Sequence, residues 1–162
     1  MRSKSWVLVL IFLLAFLQVI DIQAQNIQKK VSIQWTENLT YKIDEDLSLE
    51  FLNFEDAISD FRFGDLPLFF QKIAVDNFFS ACEVQVSNAR FEPLSANDKK
   101  LVPTAVLKSQ LVPEVRCYAE RGKPYALLTL LPFVIDPSGN VSKLLSCDIS
   151  IKPEFVTQKA AK

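Results

Sequence analysis

The chain of 162 residues contains no histidine. A thiol or hydroxyl nucleophile needs an activating base, and that base is usually histidine. Most enzyme chemistry is therefore removed at the outset. No two cysteines lie close together, since Cys82, Cys117 and Cys147 are widely spaced, and this argues against a zinc site. Excess positive charge is also missing, with 18 basic against 19 acidic residues, so nucleic acid is not favoured. Glycine is scarce at three residues, no internal repeat is evident, and long helical periodicity is nearly absent. Phenylalanine, at 13 residues, dominates the aromatic content. Such a composition folds; it is not that of a disordered chain.

What is present begins with a leader. Arg2 and Lys4 precede an apolar run from Trp6 to Leu17, followed by a more polar stretch ending at Ala24-Gln25. That order predicts a cleavable signal peptide over residues 1–24, cut between Ala24 and Gln25. The apolar run is too short for a spanning helix, so no stable membrane span is expected after cleavage. Removing Arg2, Lys4 and Asp21 lowers the 18 basic and 19 acidic residues to 16 and 18. The exported remainder is long enough for one domain with a real core. We expect that domain over residues 25–152 and a linker-like tail over 153–162. Three cysteines permit at most one internal disulfide. Cys117 and Cys147 both lie in strand-like runs, and the plainest reading of all three is small buried hydrophobes.

Strand signals fill the exported part. Val31, Ile33 and Trp35 alternate with polar residues, and Leu39 to Ile43 reads as their partner across Thr36-Glu37-Asn38. Asp44 to Asp46 is an acidic break. Leu47 to Phe63 admits a short strand and loop, or one short helix around Glu55 to Phe61. Gln71 to Val75 reads as a strand. In Phe79 to Phe91 the apolar positions change face after Val86, which predicts a bulge near Ser87-Asn88. Glu92 to Gln110, with Asn97-Asp98-Lys99-Lys100 inside it, reads as a long exposed loop, and Val115 to Ala119 as a short strand. Tyr125 to Val134 and the alternating Leu145, Cys147, Ile149 and Ile151 flank Asp136-Pro137-Ser138-Gly139-Asn140, a hairpin signal. Pro132 should bend the first of these strands or set it at an edge. The fold class expected is all-β: an antiparallel β-sandwich of short strands with at most one short helix.

No motif carries catalysis. Asp44, Glu45 and Asp46 lack the spaced ligands and glycine of a calcium loop. Nothing places Glu55, Asp56 and Asp60 across a cleft as an acid–base pair. Asn38-Leu39-Thr40 and Asn140-Val141-Ser142 fit a glycosylation pattern too short to carry weight. No catalytic residue, metal ligand or cofactor is assigned.

Four stretches in order resemble the amino-terminal region of gingipain-type cysteine peptidases, most nearly the type IX secretion sortase PorU of Bacteroidota. They are Ile33-Gln34-Trp35 through Leu39-Thr40-Tyr41; Gly64-Asp65-Leu66-Pro67-Leu68-Phe69 into Lys72-Ile73-Ala74-Val75; Val84 through Leu94; and Arg121-Gly122-Lys123-Pro124-Tyr125-Ala126 through Leu131-Pro132-Phe133 to Ile151. The resemblance covers roughly residues 30 to 152. It implies a propeptide-like β-sandwich, with the family's catalytic Cys and His in a later domain that is not in this sequence. The expected function is then a non-catalytic accessory domain. It would bind a gingipain-like peptidase domain in cis or in trans, assist its folding or hold it latent. The expected location is the periplasm or outer-membrane surface of a Gram-negative bacterium.

If a loop fills the partner's cleft, Glu92 to Arg116 is the candidate. Lys99, Lys100, Lys108 or Arg116 would then offer a basic side chain to an acidic pocket. Arg121, in the charged corner Glu120 to Pro124, is a further candidate contact. The alternative is a structural or adhesive module of the cell envelope. Exposed clusters among Phe61, Phe63, Phe69, Phe70, Phe78 and Phe79 would favour it.

Overall fold

The computed structural model describes residues 26–154. The expected leader, its cleavage pair Ala24-Gln25 and residues 155–162 of the expected tail lie outside the described residues, while Pro153 and Glu154 of that tail continue β10.

Period-two alternation dominates, and it builds two four-stranded antiparallel sheets. The first holds β1 (Ile27–Ser32), β6 (Ala81–Pro93), β9 (Phe133–Ile135) and β10 (Val141–Glu154). β10 is its centre. One side takes β1, from Ile27 opposite Ile151 to Ser32 opposite Ser146, and β9 beyond it. The other side takes β6 along its whole length. The second sheet runs in the order β4 (Ile58–Ser59), β5 (Pro67–Ala74), β8 (Lys123–Leu130), β7 (Glu114–Glu120). The fold is thus the expected all-β antiparallel sandwich. Its helical content among the described residues is three single turns of 3-10 helix, at Phe61–Phe63, Asp98–Leu101 and Thr104–Val106.

Val31, Cys147, Ile149 and Ile151 of the first sheet meet Ile73, Ala126, Leu128 and Leu130 of the second in one core. A second cluster of Leu52, Leu66, Val102, Phe133 and Val141 lies under the segment after β6. Trp35 packs against both. Its ring centroid is 5.2 Å from that of Phe54 and 5.3 Å from that of Phe133, and its indole N–H donates to the Leu144 carbonyl at 2.8 Å.

The expected bulge falls on β6 at Asn88, whose φ is 52°. Asp148 pairs Ser87 while Ser146 pairs Arg90, so β6 carries one residue more than its partner there. An L-residue tolerates that backbone best as Asn or Asp. Asn88 Nδ2 also donates to Asp148 Oδ2 at 2.7 Å. A compensating bulge lies on β10 at Leu145, between the pairs Leu144–Phe91 and Ser146–Arg90. This displaces the alternation read from the sequence: Leu144 is fully buried and Leu145 only half-buried.

Two further expectations are corrected. Leu39 to Ile43 does not pair with Val31 to Trp35. It forms β2 (Leu39–Lys42), joined to β3 (Ser48–Phe51) in a separate two-stranded hairpin. The acidic run is its turn, because Asp44 Oδ1 accepts the N–H groups of Asp46 at 3.0 Å and Leu47 at 2.9 Å. Second, Tyr125 to Val134 is not one strand. β8 ends at Leu130, and the chain crosses at Leu131-Pro132 to the other sheet. The Asp136–Asn140 turn therefore joins β9, not β8, to β10. Proline has no N–H for a ladder, and the break falls there. Of the two readings left open for Leu47 to Phe63, strand and loop is the one found, with β3, β4 and the first 3-10 turn in place of a helix over Glu55 to Phe61.

Candidate functional site

The two sheets are open along one side. There the free edge of β6 faces the segment that leads into β7. Between them runs a groove of about 530 Å³, lined by Val84, Val86, Ala89 and Phe91 of β6, by Ser109 to Pro113 of that segment, and by Val134. Val84 and Val86 sit there because alternation turns them inward, yet no further strand covers them. Phe91 is 38% exposed and Val112 42%. The bulge at Asn88 keeps Phe91 on the groove side despite the slip in alternation.

Of the loop expected over Glu92 to Gln110, the first two residues end β6; from Leu94 on it is strandless and largely exposed, with a few apolar side chains turned inward. Val102 is 5% exposed, and Leu94, Leu101, Val106 and Leu107 pack on the second core cluster. The residues expected at a partner interface are distributed around this frame. Lys99 and Lys100 lie in the 3-10 turn Asp98–Leu101 and are exposed. Lys108 is exposed and lines a small recess next to the groove, with Gln110 and Val112 common to both. Arg116 lies in β7, 72% exposed, and reaches Glu114 at 3.5 Å. Glu114 also receives Arg62 at 3.4 Å. Lys108 and Arg116 thus stand close to the groove. Arg121 is at the opposite end of β7, in the turn to β8, where φ is 51° at Arg121 and 77° at Gly122. The structure does not bring these five residues into one cluster.

The charged groups lie at the surface. Among the described residues no charged side chain is buried, and no three His, Cys, Asp or Glu side chains are grouped to hold a metal ion. Asp60 is bound by Arg62 at 2.7 Å, and this hydrogen bond holds its carboxyl below the usual range. Asp98 is lowered by the amide of Asn38, and Asp136 by the N–H groups of Asn140. The cysteines are free, with Cys82 and Cys117 half-buried and Cys147 buried. Burial pushes the Cys147 thiol up to about 11, so it stays protonated and unreactive at neutral pH.

Phenylalanine does not form the exposed patch weighed from the sequence. Phe79 is buried, Phe63 and Phe69 are half-buried, and of those described only Phe70 and Phe78 are well exposed. The apolar exposure lies on the β2–β3 hairpin instead, where Leu39, Tyr41, Ile43, Leu47 and Leu49 are 42–59% exposed.

Solved structures of similar fold include two from Porphyromonas gingivalis. A chain of the complex of RgpB pro- and mature domains superposes with a TM-score of 0.54, at 9% identity, over 83% of each chain. A chain from the structure of gingipain K in zymogenic latency gives 0.52, at 16% identity, over 84% of this chain and 96% of that one. This chain shares its overall fold with both of those chains. Neither a protein-family model nor a curated protein matches the sequence. Among the described residues no helix is long and apolar enough to cross a membrane.

Proposed function

We propose that this chain is an exported, non-catalytic, propeptide-like domain. It binds a gingipain-like cysteine peptidase domain, in cis or in trans, and assists its folding or keeps it latent. The type IX secretion sortase kind is the partner class that the sequence resemblance favours, in the periplasm or at the outer-membrane surface. One observation carries the reading: a fold shared over at least 83% of both chains with the two gingipain structures. The groove supports it. A groove between the edge of β6 and the segment before β7 offers backbone and side-chain contacts to a strand or loop of another domain.

The contact residues proposed are Lys108 and Arg116 beside the groove, with Lys99, Lys100 and Arg121 further out. A lysine or arginine on an exposed rim can pair with an acidic pocket while the groove supplies apolar contact. The test is binding of the exported chain to gingipain-type peptidase domains encoded in the same genome, by surface plasmon resonance and by inhibition of peptide cleavage. We expect Lys108→Glu with Arg116→Glu to weaken binding by on the order of 10- to 100-fold, the range of charge pairs at such interfaces. Unchanged inhibition by that variant removes the basic-residue assignment. Failure of the wild-type chain to bind any such domain removes the reading itself.

A further inference from the structure

The fold separates the three thiols. Cys147 lies on β10, at the centre of the first sheet, and is 2% exposed. Cys82 and Cys117 are half-buried and lie on edge strands, Cys82 at the start of β6 and Cys117 within β7. Each has a ladder partner on one side, Pro153 for Cys82 and Ala126 for Cys117, and no strand on the other. Both side chains point into the sandwich. Cys82, Val84 and Val86 alternate inward along β6, Val115 and Cys117 do so along β7, and all five pack against one core cluster.

The two edges border the same open side, where the groove runs between β6 and the segment that enters β7. They also run in opposite directions. β7 starts at Glu114, opposite Thr129 near the end of β8. From there the chain reaches Pro132, whose carbonyl accepts the Leu144 N–H at 2.8 Å, and Leu144 pairs with Phe91 of β6. So β7 begins at the Phe91 end of β6 and runs toward the end that carries Cys82. There burial, then Glu154, then Cys117 push the Cys82 thiol up, which puts the two sulfurs in one electrostatic environment.

We propose that Cys82 and Cys117 are a disulfide-forming pair that staples the two sheets along their open side. Both are thiols in this structure. A disulfide needs Cβ atoms about 3.5–4.5 Å apart, so the two edges close toward each other when it forms. Immunoglobulin sandwiches bridge their sheets in the same way, with one inward-facing cysteine from each. The oxidant is another disulfide, a small molecule such as oxidised glutathione or an oxidoreductase, of the class that an oxidising compartment supplies. One thiolate attacks it, its S–S bond breaks, and one oxidant thiol leaves. The second thiolate attacks the mixed disulfide, the Cys82–Cys117 bond forms, and the second oxidant thiol leaves. Two protons and two electrons pass from the protein to the oxidant. Cys147 takes no part because the core shields it. The bond stands two residues from Val84, at one end of the groove, and holds that end at a fixed width, which pre-organises the groove for whatever enters it.

Incubating the exported chain in a buffer of oxidised and reduced glutathione tests this. Free thiols are then blocked with N-ethylmaleimide under unfolding conditions, and the chain is mapped by mass spectrometry. We expect a monomer lighter by two hydrogens, one cross-linked peptide pair holding Cys82 and Cys117, and label on Cys147 alone. Cys82→Ser and Cys117→Ser should each abolish the internal bond, and Cys147→Val should leave it. Dithiothreitol should lower the urea midpoint of the oxidised chain by about 1–2 M, as opening a loop-closing disulfide does. Three labelled thiols in the wild-type chain overturn the proposal, and so does a bond that uses Cys147 or joins two chains. A midpoint indifferent to dithiothreitol refutes the stapling role. Failure here leaves the proposed function standing, since binding to a peptidase domain is read in a separate assay.

Discussion

Replacing Trp35 should cost more than replacing any other side chain outside the strands, because it joins two cores that otherwise have separate walls. Three contributions can be counted from its contacts. Its indole N–H satisfies the Leu144 carbonyl at 2.8 Å. Deleting the donor leaves that carbonyl unpaired, at a cost of about 1–3 kcal/mol. Two aromatic contacts, with Phe54 at 5.2 Å and Phe133 at 5.3 Å, contribute about 0.5–1.5 kcal/mol each beyond area. Truncation also opens a void between the clusters. Together these place Trp35→Ala near the upper part of the roughly 3–5 kcal/mol range seen for large aromatic truncations. Trp35→Phe keeps a ring and loses mainly the donor, so about 1–2 kcal/mol is expected. Urea unfolding followed by far-ultraviolet circular dichroism measures both. The two clusters should also uncouple in Trp35→Ala, with hydrogen exchange near Val102 and Phe133 rising while Ile149 and Leu128 stay protected. A loss below about 1 kcal/mol for Trp35→Ala would refute the bridging role. So would equal losses for Ala and Phe, since the rings would then contribute nothing.

Cys147 makes stability fall in alkali. Its thiol is raised by burial to about 11 from an ordinary value of 9.0, so the folded form keeps a proton that the unfolded form releases. The contribution is complete below pH 9 and is lost as pH rises toward 11, with a slope near 1.4 kcal/mol per pH unit. Cys147→Val should flatten that part of the profile in urea melts, and a profile identical to wild type would exclude the thiol as its source. Asp98 and Asp136 act in the other direction: their lowered carboxyls stabilise the fold above the ordinary carboxylate range, and that contribution is lost as pH falls through the folded values. Asp98→Asn should blunt the acid limb of the same titration. Arg121 holds φ at 51° in the first central position of a two-residue hairpin turn. Arg121→Asn should stabilise the domain by roughly 0.5–1 kcal/mol, read as a shift in urea midpoint, since Asn suits that conformation. Asn88→Val should cost about 1–2 kcal/mol for the same reason reversed, and a neutral result would show that the bulge relaxes.

Much of the sandwich can be read from the chain because its signals are local. Gln71 to Val75, Val115 to Ala119 and Phe79 to Phe91 alternate over their own lengths, and each is a strand close to where alternation places it. Even the slip at Asn88 is visible, since Val84 and Val86 change face relative to Phe91. Pairing partners are less legible, because they are chosen by distant residues. Leu39 to Ile43 has the composition of a partner for Val31 to Trp35, yet β10 competes for β1 with a longer apolar face. Nothing near Tyr125 announces that the chain will change sheets at Pro132. Leu145 alternates correctly with Cys147 in the sequence and loses its place to Leu144 only because a second bulge answers the first. The candidate site divides the same way. Its basic residues stand out singly as letters. The groove is a product of tertiary assembly, since Val86 and Leu111 are brought together only by the closing of two sheets.

Ile27 stands directly across from Ile151 on adjacent strands. The described polypeptide therefore enters and departs at one corner of the molecule, with Ile27 one interstrand spacing from Ile151 and the chain running three residues further to Glu154. Anything fused upstream or downstream is delivered to that same corner. A circular permutant sealed there by a short connector, and reopened at the Asp136–Asn140 turn, would preserve every pairing of both layers except the β9–β10 contact it opens.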